Sequence, residues 1–176
     1  MPRCKECKDK FDLKYPFQKF CMEKDECIKS HYNYGKNQIA KKWNTKKRVI
    51  KESLKTNKDY LKEFQVVFNK YIRTRDKDKG CISCPRPLVN KFDAGHFYSV
   101  GSTPSLRFNE DNVHGQCVYC NQHLHGNIHD YTENLPLRIG EESFNKLRGL
   151  RSTLNKYSNH ELKELKELYK KKTREL

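Results

Sequence analysis

No stretch of this 176-residue chain stays apolar for long enough to span a bilayer. No apolar leader follows the opening Met-Pro-Arg-Cys-Lys, so export and a membrane partner are not expected. Hydrophobic residues are scarce at 35%, level with the 34% that are charged, which excludes a large core and leaves one or two small domains. Small cores need staples. Eight cysteines can supply them, in two sets of four: 4, 7, 21, 27 and 81, 84, 117, 120. Away from the secretory path, closely spaced cysteines read as metal ligands rather than disulfides. Four thiolates close a tetrahedral zinc site. The expectation is therefore two structural zinc ions, one on Cys4, Cys7, Cys21 and Cys27, the other on Cys81, Cys84, Cys117 and Cys120.

Charge is plentiful and uneven. The net charge is +15. Residues 1–79 hold 23 Lys/Arg against 11 Asp/Glu, a net of +12, and residues 80–176 hold 14 against 11, a net of +3. A basic arm ahead of a zinc-stapled region is the footprint of a nucleic-acid binder. A merely solvated surface is the plainer alternative.

Four segments are expected along the chain. Residues 1–27 form the first cysteine module, with Phe11, Tyr15, Phe17 and Phe20 as a miniature core that depends on metal to fold. Residues 28–57 are a basic helical linker. Its Lys41, Lys42, Lys46, Lys47 and Arg48 either lie on a phosphate backbone or stay solvated. Residues 58–150 form the central domain. It opens with a helix over 58–78, read from Leu61, Phe64, Phe68, Tyr71 and Ile72 and capped by Asn57. A strand over Leu88–Tyr98 follows, then a turn, a short return strand at Leu106–Phe108, and a short helix from Asn121. Further helices are expected at Tyr131–Ile139 and Glu141–Leu150, interrupted by Pro136 and Gly140. Residues 151–176 carry a last helix, opened by the capping box Ser158-Asn-His-Glu161. Its one apolar stripe packs on the same chain or on a second copy.

Between the two central Cys-x-x-Cys knuckles stand polar residues that structural zinc does not call for: Asp93, His96, Asn112 and Asn121. Asp93…His96, Asn112 and Cys117-Val-Tyr-Cys120-Asn121 resemble the HNH, or ββα-metal, nuclease motif. In that motif a His ends the first strand, an Asn sits in the loop and a ligand opens the helix. The resemblance is closer to the NinG (Rap) family of lambdoid phage recombination endonucleases. It runs through Cys4-Lys-x-Cys7…Cys21…Cys27, Arg73-x-Arg75-Asp76, Cys81-Ile-Ser-Cys84, Asp93-Ala-Gly-His96, Leu106-Arg-Phe-Asn-Glu110 and Gln116-Cys117-Val-x-Cys120-Asn-Gln-His123. It implies a small zinc-stapled α+β fold: a central ββα-metal, treble-clef-type module with helices before and after it, plus the N-terminal four-Cys module. It also implies an endonuclease acting on branched DNA such as Holliday junctions and D-loops. If phage-encoded, such an enzyme would work in the cytoplasm of the bacterial host.

The chemistry suits the residues. Phosphodiester hydrolysis needs an activated water and a cation on the phosphate. A neutral His96 can take the water's proton. Magnesium or manganese needs few protein ligands, and Asp93 and Asn121 would suffice. Asn112 would orient His96 by a hydrogen bond. Gly95 stands where the motif usually has Asp or His, so a bulge at Gly95 would bring Asp93 in. The family pattern adds His123 near the metal. Arg73, Arg75 and Arg107 are candidate phosphate contacts, or else pair with Asp76, Asp78 or Glu110. A homodimer would serve symmetric cutting, and recombination proteins are compatible partners. Two alternatives stand: a non-catalytic zinc DNA-binding recombination accessory protein, and a sequence-specific HNH nicking nuclease.

Overall fold

The computed structural model describes residues 1–152 and 156–176. These form two compact units, Met1–Lys55 and Thr56–Leu176. The segment expected over 151–176 includes 153–155, which lie outside the described residues.

The first unit is built on its cysteines. Phe11 and Phe20 are buried with Cys4, Cys21 and Cys27, and Cys7 and Tyr34 pack on them. The core is smaller than expected: Phe17 is 92% exposed and Tyr15 also faces solvent. Phe17 sits in a tight turn at a φ of 61°, and the turn carries both rings outwards. Helix α1, Asp25–Ser53, begins inside this unit, so Cys27 comes from its first turn. Asp25 and Glu26 suit the positive end of the helix dipole there. Further along, Ile39, Trp43 and Ile50 of α1 are exposed.

The second unit is organised by α2, Asn57–Asp76, and α5, Asn159–Glu175. Tyr60, Phe64, Phe68, Tyr71 and Ile72 make one stripe of α2, and Leu162 and Tyr169 of α5 pack on it with Phe108 and Val113. Phe64 and Phe108 stack with centroids 4.4 Å apart, and Phe68 meets Tyr169 at 5.2 Å. Each ring fully removed from water contributes about 2–3 kcal/mol. Glu110 ties the ends together by accepting from Tyr71 Oη at 2.8 Å, Tyr169 Oη at 2.8 Å and Lys172 Nζ at 2.7 Å. The cap of α2 is Thr56 with Asp59 in a capping box. Asn57, expected as the cap, instead donates to Tyr157 O and Asn159 Oδ1. Ser158 and Glu161 form the box expected for α5.

Strands β1, Phe92–His96, and β2, Val113–Cys117, pair antiparallel, with Asp93 opposite Gln116 and His96 opposite Val113. The first strand is shorter than Leu88–Tyr98. The return strand is not at Leu106–Phe108. There a 3₁₀ turn, Pro104–Leu106, buries Leu106 and Phe108 while Arg107 stays half-exposed, so turn geometry imitates strand alternation. A single π-helical turn, Tyr119–His123, follows β2. Helices α3, Ile128–Ile139, and α4, Glu141–Gly149, close a second core of Ile82, Leu106, Tyr131, Leu135 and Leu147. Pro136 lies within α3 rather than ending it, and Gly140, at a φ of 85°, turns the chain. Among the described residues no helix is long and apolar enough to cross a membrane.

Candidate functional site

The two cysteine sets are shaped alike. Sγ atoms of Cys4 and Cys27 lie 3.7 Å apart, those of Cys7 and Cys21 3.6 Å, and those of Cys84 and Cys117 3.8 Å. Within each set the four sulfurs lie within 4.8 Å of one another. Tetrahedral zinc with bonds of about 2.3 Å sets its sulfurs about 3.8 Å apart, whereas a disulfide needs about 2 Å. All eight are free thiols. Backbone N–H groups aim at the sulfurs, from Cys21 to Cys4 at 3.2 Å and from Cys117 to Cys81 at 3.3 Å. Such donors stabilise thiolate charge. Both tetrads could hold zinc, and the chemistry of each donor set fits it.

The second tetrad clasps the sheet. Cys117 ends β2, Cys120 lies in the π-helical turn, and Cys81 and Cys84 come from the loop after α2. This clamp sets the π-helical turn against β1. Asn121 Nδ2 donates to Asp93 Oδ2 at 2.9 Å, and Gln122 Nε2 donates to the same oxygen at 2.7 Å. Asp93 and Asn121 are thus brought together. Their remaining side-chain oxygens are hard donors of the kind magnesium or manganese takes. No bulge is needed, because β1 pairs in unbroken register through Gly95, opposite His114. The glycine serves packing instead: a Cβ at Gly95 would fall 2.1 Å from Gln116 Oε1.

His96 lies three residues beyond Asp93, and strand alternation puts the two on opposite faces of β1. Its Nε2 is 3.0 Å from the carbonyl oxygen of Arg107. A carbonyl only accepts, so Nε2 carries the proton and Nδ1 keeps the lone pair. Burial holds the imidazole pKa below its ordinary value, and the nearby Arg107 charge pushes the same way against the carbonyl. His96 is neutral at pH 7. Asn112 does not orient it as expected. The Asn112 side chain accepts from Tyr98 N at 2.8 Å and donates to Tyr98 O and Leu106 O at 3.1 and 3.0 Å. Asn112 is buried and pins the loop whose next carbonyl, that of Arg107, holds His96.

The other candidates separate. His123 is exposed and meets Tyr119, with ring centroids 5.9 Å apart. His114 is buried, with Nδ1 3.1 Å from Tyr131 Oη, which donates to Gly95 O at 3.2 Å. Burial pushes its pKa down to about 3, so it is a neutral strut. Arg75 is not free for phosphate. Its side chain is 15% exposed and pairs with buried Asp76 at 2.8 Å, and it also donates to Glu110 O and Val113 O. Arg107 donates from Nε to Gln65 Oε1 at 2.6 Å and lies over Phe108. Arg73 faces a groove beside Asp93. Lys41, Lys42, Lys46, Lys47 and Arg48 are exposed and ring α1 rather than sharing one face. The family pattern includes Gln122 but gave it no role, and sequence reasoning missed the Arg107 carbonyl, because a main-chain oxygen carries no signal in spacing.

A small α+β protein with a two-stranded sheet, two cysteine tetrads fit for zinc, and an Asp–Asn pair held against the sheet is the class defined so far. The chain belongs to the bacteriophage lambda NinG protein family, whose sequence model matches residues 1–176. Protein ninG of Escherichia phage lambda is 37% identical over 131 residues, covering 74% of this chain and 64% of the relative. Protein ninG of Salmonella phage P22 is 36% identical over 131 residues, with the same coverage of 74% and 64%. Protein ninG of Enterobacteria phage H19B is 40% identical over 100 residues, 57% of this chain and 50% of the relative. The matched part of the chain thus spans less than two thirds of these curated relatives' length. No solved structure matches the chain.

Proposed function

We propose that this chain is a metal-dependent endonuclease of the HNH type that hydrolyses phosphodiester bonds in branched DNA, Holliday junctions and D-loops among them. The observation that carries the reading is the convergence of Asp93 with Asn121, clasped by a cysteine tetrad, on the strand that also bears a neutral His96. A bound magnesium or manganese ion would polarise the phosphoryl oxygen and stabilise the leaving 3′-oxygen. Asp93 and Asn121 would hold it. His96 Nδ1 takes the proton of the attacking water, while the Arg107 carbonyl fixes the tautomer that leaves Nδ1 free. Among the described residues β2 pairs on one edge of β1 and no strand pairs on the other. Asp93 and His96 stand on opposite faces of β1, about 10 Å apart along it. Selectivity for branched DNA follows the family resemblance.

That opposite-face placement also favours a second reading, a non-catalytic zinc DNA-binding accessory protein in recombination. One experiment separates the two. Four-way junction, D-loop and linear duplex of matched sequence are incubated with Mg²⁺, Mn²⁺ or EDTA, using wild type and His96→Ala. The expected outcome is metal-dependent, branch-selective cutting that His96→Ala slows by at least about 100-fold while DNA binding persists. Binding without cutting at any ion supports the accessory protein. Cutting of linear duplex at one site supports a sequence-specific nicking enzyme. The rate should rise with pH with a midpoint below 6.5, the ordinary histidine value, because burial lowers the His96 pKa. A midpoint above 6.5 would exclude neutral His96 as the base.

A further inference from the structure

One face of α2 packs in the core, and the other carries Lys70, Arg73, Thr74 and Lys77. With Asn90, Lys91, Phe92 and Asp93 they line a groove of about 590 Å³. Four cations face one carboxylate. Several basic side chains of this unit are paired off, as Arg75 is with Asp76, Lys166 with Glu63 and Lys172 with Glu110. Among the described residues Lys70, Arg73 and Lys91 make no ion pair, and Lys77 has only exposed Asp78 at 4.0 Å. Lys70 and Lys77 are separated by about 10 Å along the helix axis. One strand of a duplex passes about three phosphates in that distance.

We infer that this groove carries the phosphate backbone of one DNA strand up to the Asp93–Asn121 pair, and that backbone binding there is coupled to a divalent cation at Asp93. The inference rests on the nuclease reading and adds the strand's path and the coupling. The physical reason is the carboxylate in the groove's lining. Lys70, Arg73, Lys77 and Lys91 attract the backbone, whereas the Asp93 charge repels the phosphate that arrives beside it. A divalent cation on Asp93 and Asn121 turns that repulsion into attraction. By linkage, the cation strengthens DNA binding and DNA strengthens cation binding by the same factor.

The test measures binding on the non-cutting His96→Ala background, by fluorescence anisotropy of a labelled four-way junction across a salt series, in Mg²⁺ and in EDTA. Adding Lys70→Gln, Lys77→Gln and Lys91→Gln together should flatten the plot of log affinity against log salt by about three units in Mg²⁺. These lysines are exposed, so the variant should keep its zinc content and helical signal. Adding Asp93→Asn instead should raise affinity in EDTA and abolish the gain from Mg²⁺. Junction binding with an unchanged salt slope in the triple variant would overturn the groove as the strand's path while leaving the nuclease reading intact. An Mg²⁺ gain that survives Asp93→Asn would overturn the coupling. Failure of the His96→Ala parent to bind any junction would overturn both the inference and the nuclease reading.

Discussion

Arg75 donates from Nε and Nη2 to the two carboxylate oxygens of Asp76, and Asp76 in turn accepts from Gly115 N at 2.8 Å. One charged pair thus fastens the end of α2 to β2. Removing the arginine would leave a fully buried carboxylate with only the Gly115 N–H and a longer contact to Lys79 Nζ at 3.4 Å. Arg75→Ala should therefore cost about 3–5 kcal/mol in urea unfolding, while Arg73→Ala on the groove face should change stability by less than about 0.5 kcal/mol. Equal effects of the two substitutions would mean that the pair is not what holds α2 to the sheet. Both arginines look the same in sequence, two residues apart in a basic stretch. Burial separates them: Arg75 donates to the carbonyl oxygens of Glu110 and Val113, 35 and 38 residues on. A Cβ at Gly115 would fall 2.5 Å from Leu88 Cδ1 and 3.0 Å from Asp76 Cβ, so the sheet can come this close only at a glycine. Asn112 is a similar case. Its spacing from Cys117 marks it as special, yet spacing does not say that its amide holds Tyr98 and Leu106 rather than His96.

At the scale of elements, the parts legible in the sequence are those with local signatures. Cys-x-x-Cys pairs place both tetrads, the aromatic stripe places α2, and the Ser158–Glu161 box opens α5. The return strand was not legible. Val113–Cys117 contains His114 and Gln116, polar residues that face inward, where His114 meets Tyr131 and the Gln116 amide nitrogen donates to Ser83 and Gly126. Their partners lie 10 to 33 residues away, so no local pattern announces a strand. The two units also differ in what supports them. Among the described residues, the hydrophobic side chains that the first buries beside its cysteines are Phe11 and Phe20, and metal binding must supply most of its folding energy. The second has aromatic cores independent of its tetrad. Stripping zinc with a strong chelator should thus remove amide-exchange protection across residues 1–24 while the amides of α2 and α5 stay protected. Loss of protection in both regions at one chelator concentration would show that the second tetrad supports the whole of its unit.

The second unit, taken whole, is closed by its first and last helices. Leu162 is 1% exposed against the α2 stripe. Leu162→Ala should cost about 2–5 kcal/mol, read as a lower urea midpoint, and removal of α5 should leave a chain that aggregates through Phe64 and Phe68. A soluble, cooperatively unfolding chain without α5 would show that the other core suffices. The pairing has a consequence in time. Glu63 and Lys166 meet across 103 residues. A ribosome adding about 5–20 residues per second needs roughly 5–20 s to make that stretch. Until α5 emerges, the α2 stripe lacks Leu162 and Tyr169, and part of it is open to chaperones. The strands and both central knuckles are already outside by then, waiting on a helix that completes their support. Synthesis itself thus delays the maturation of the candidate site until α5 has been made.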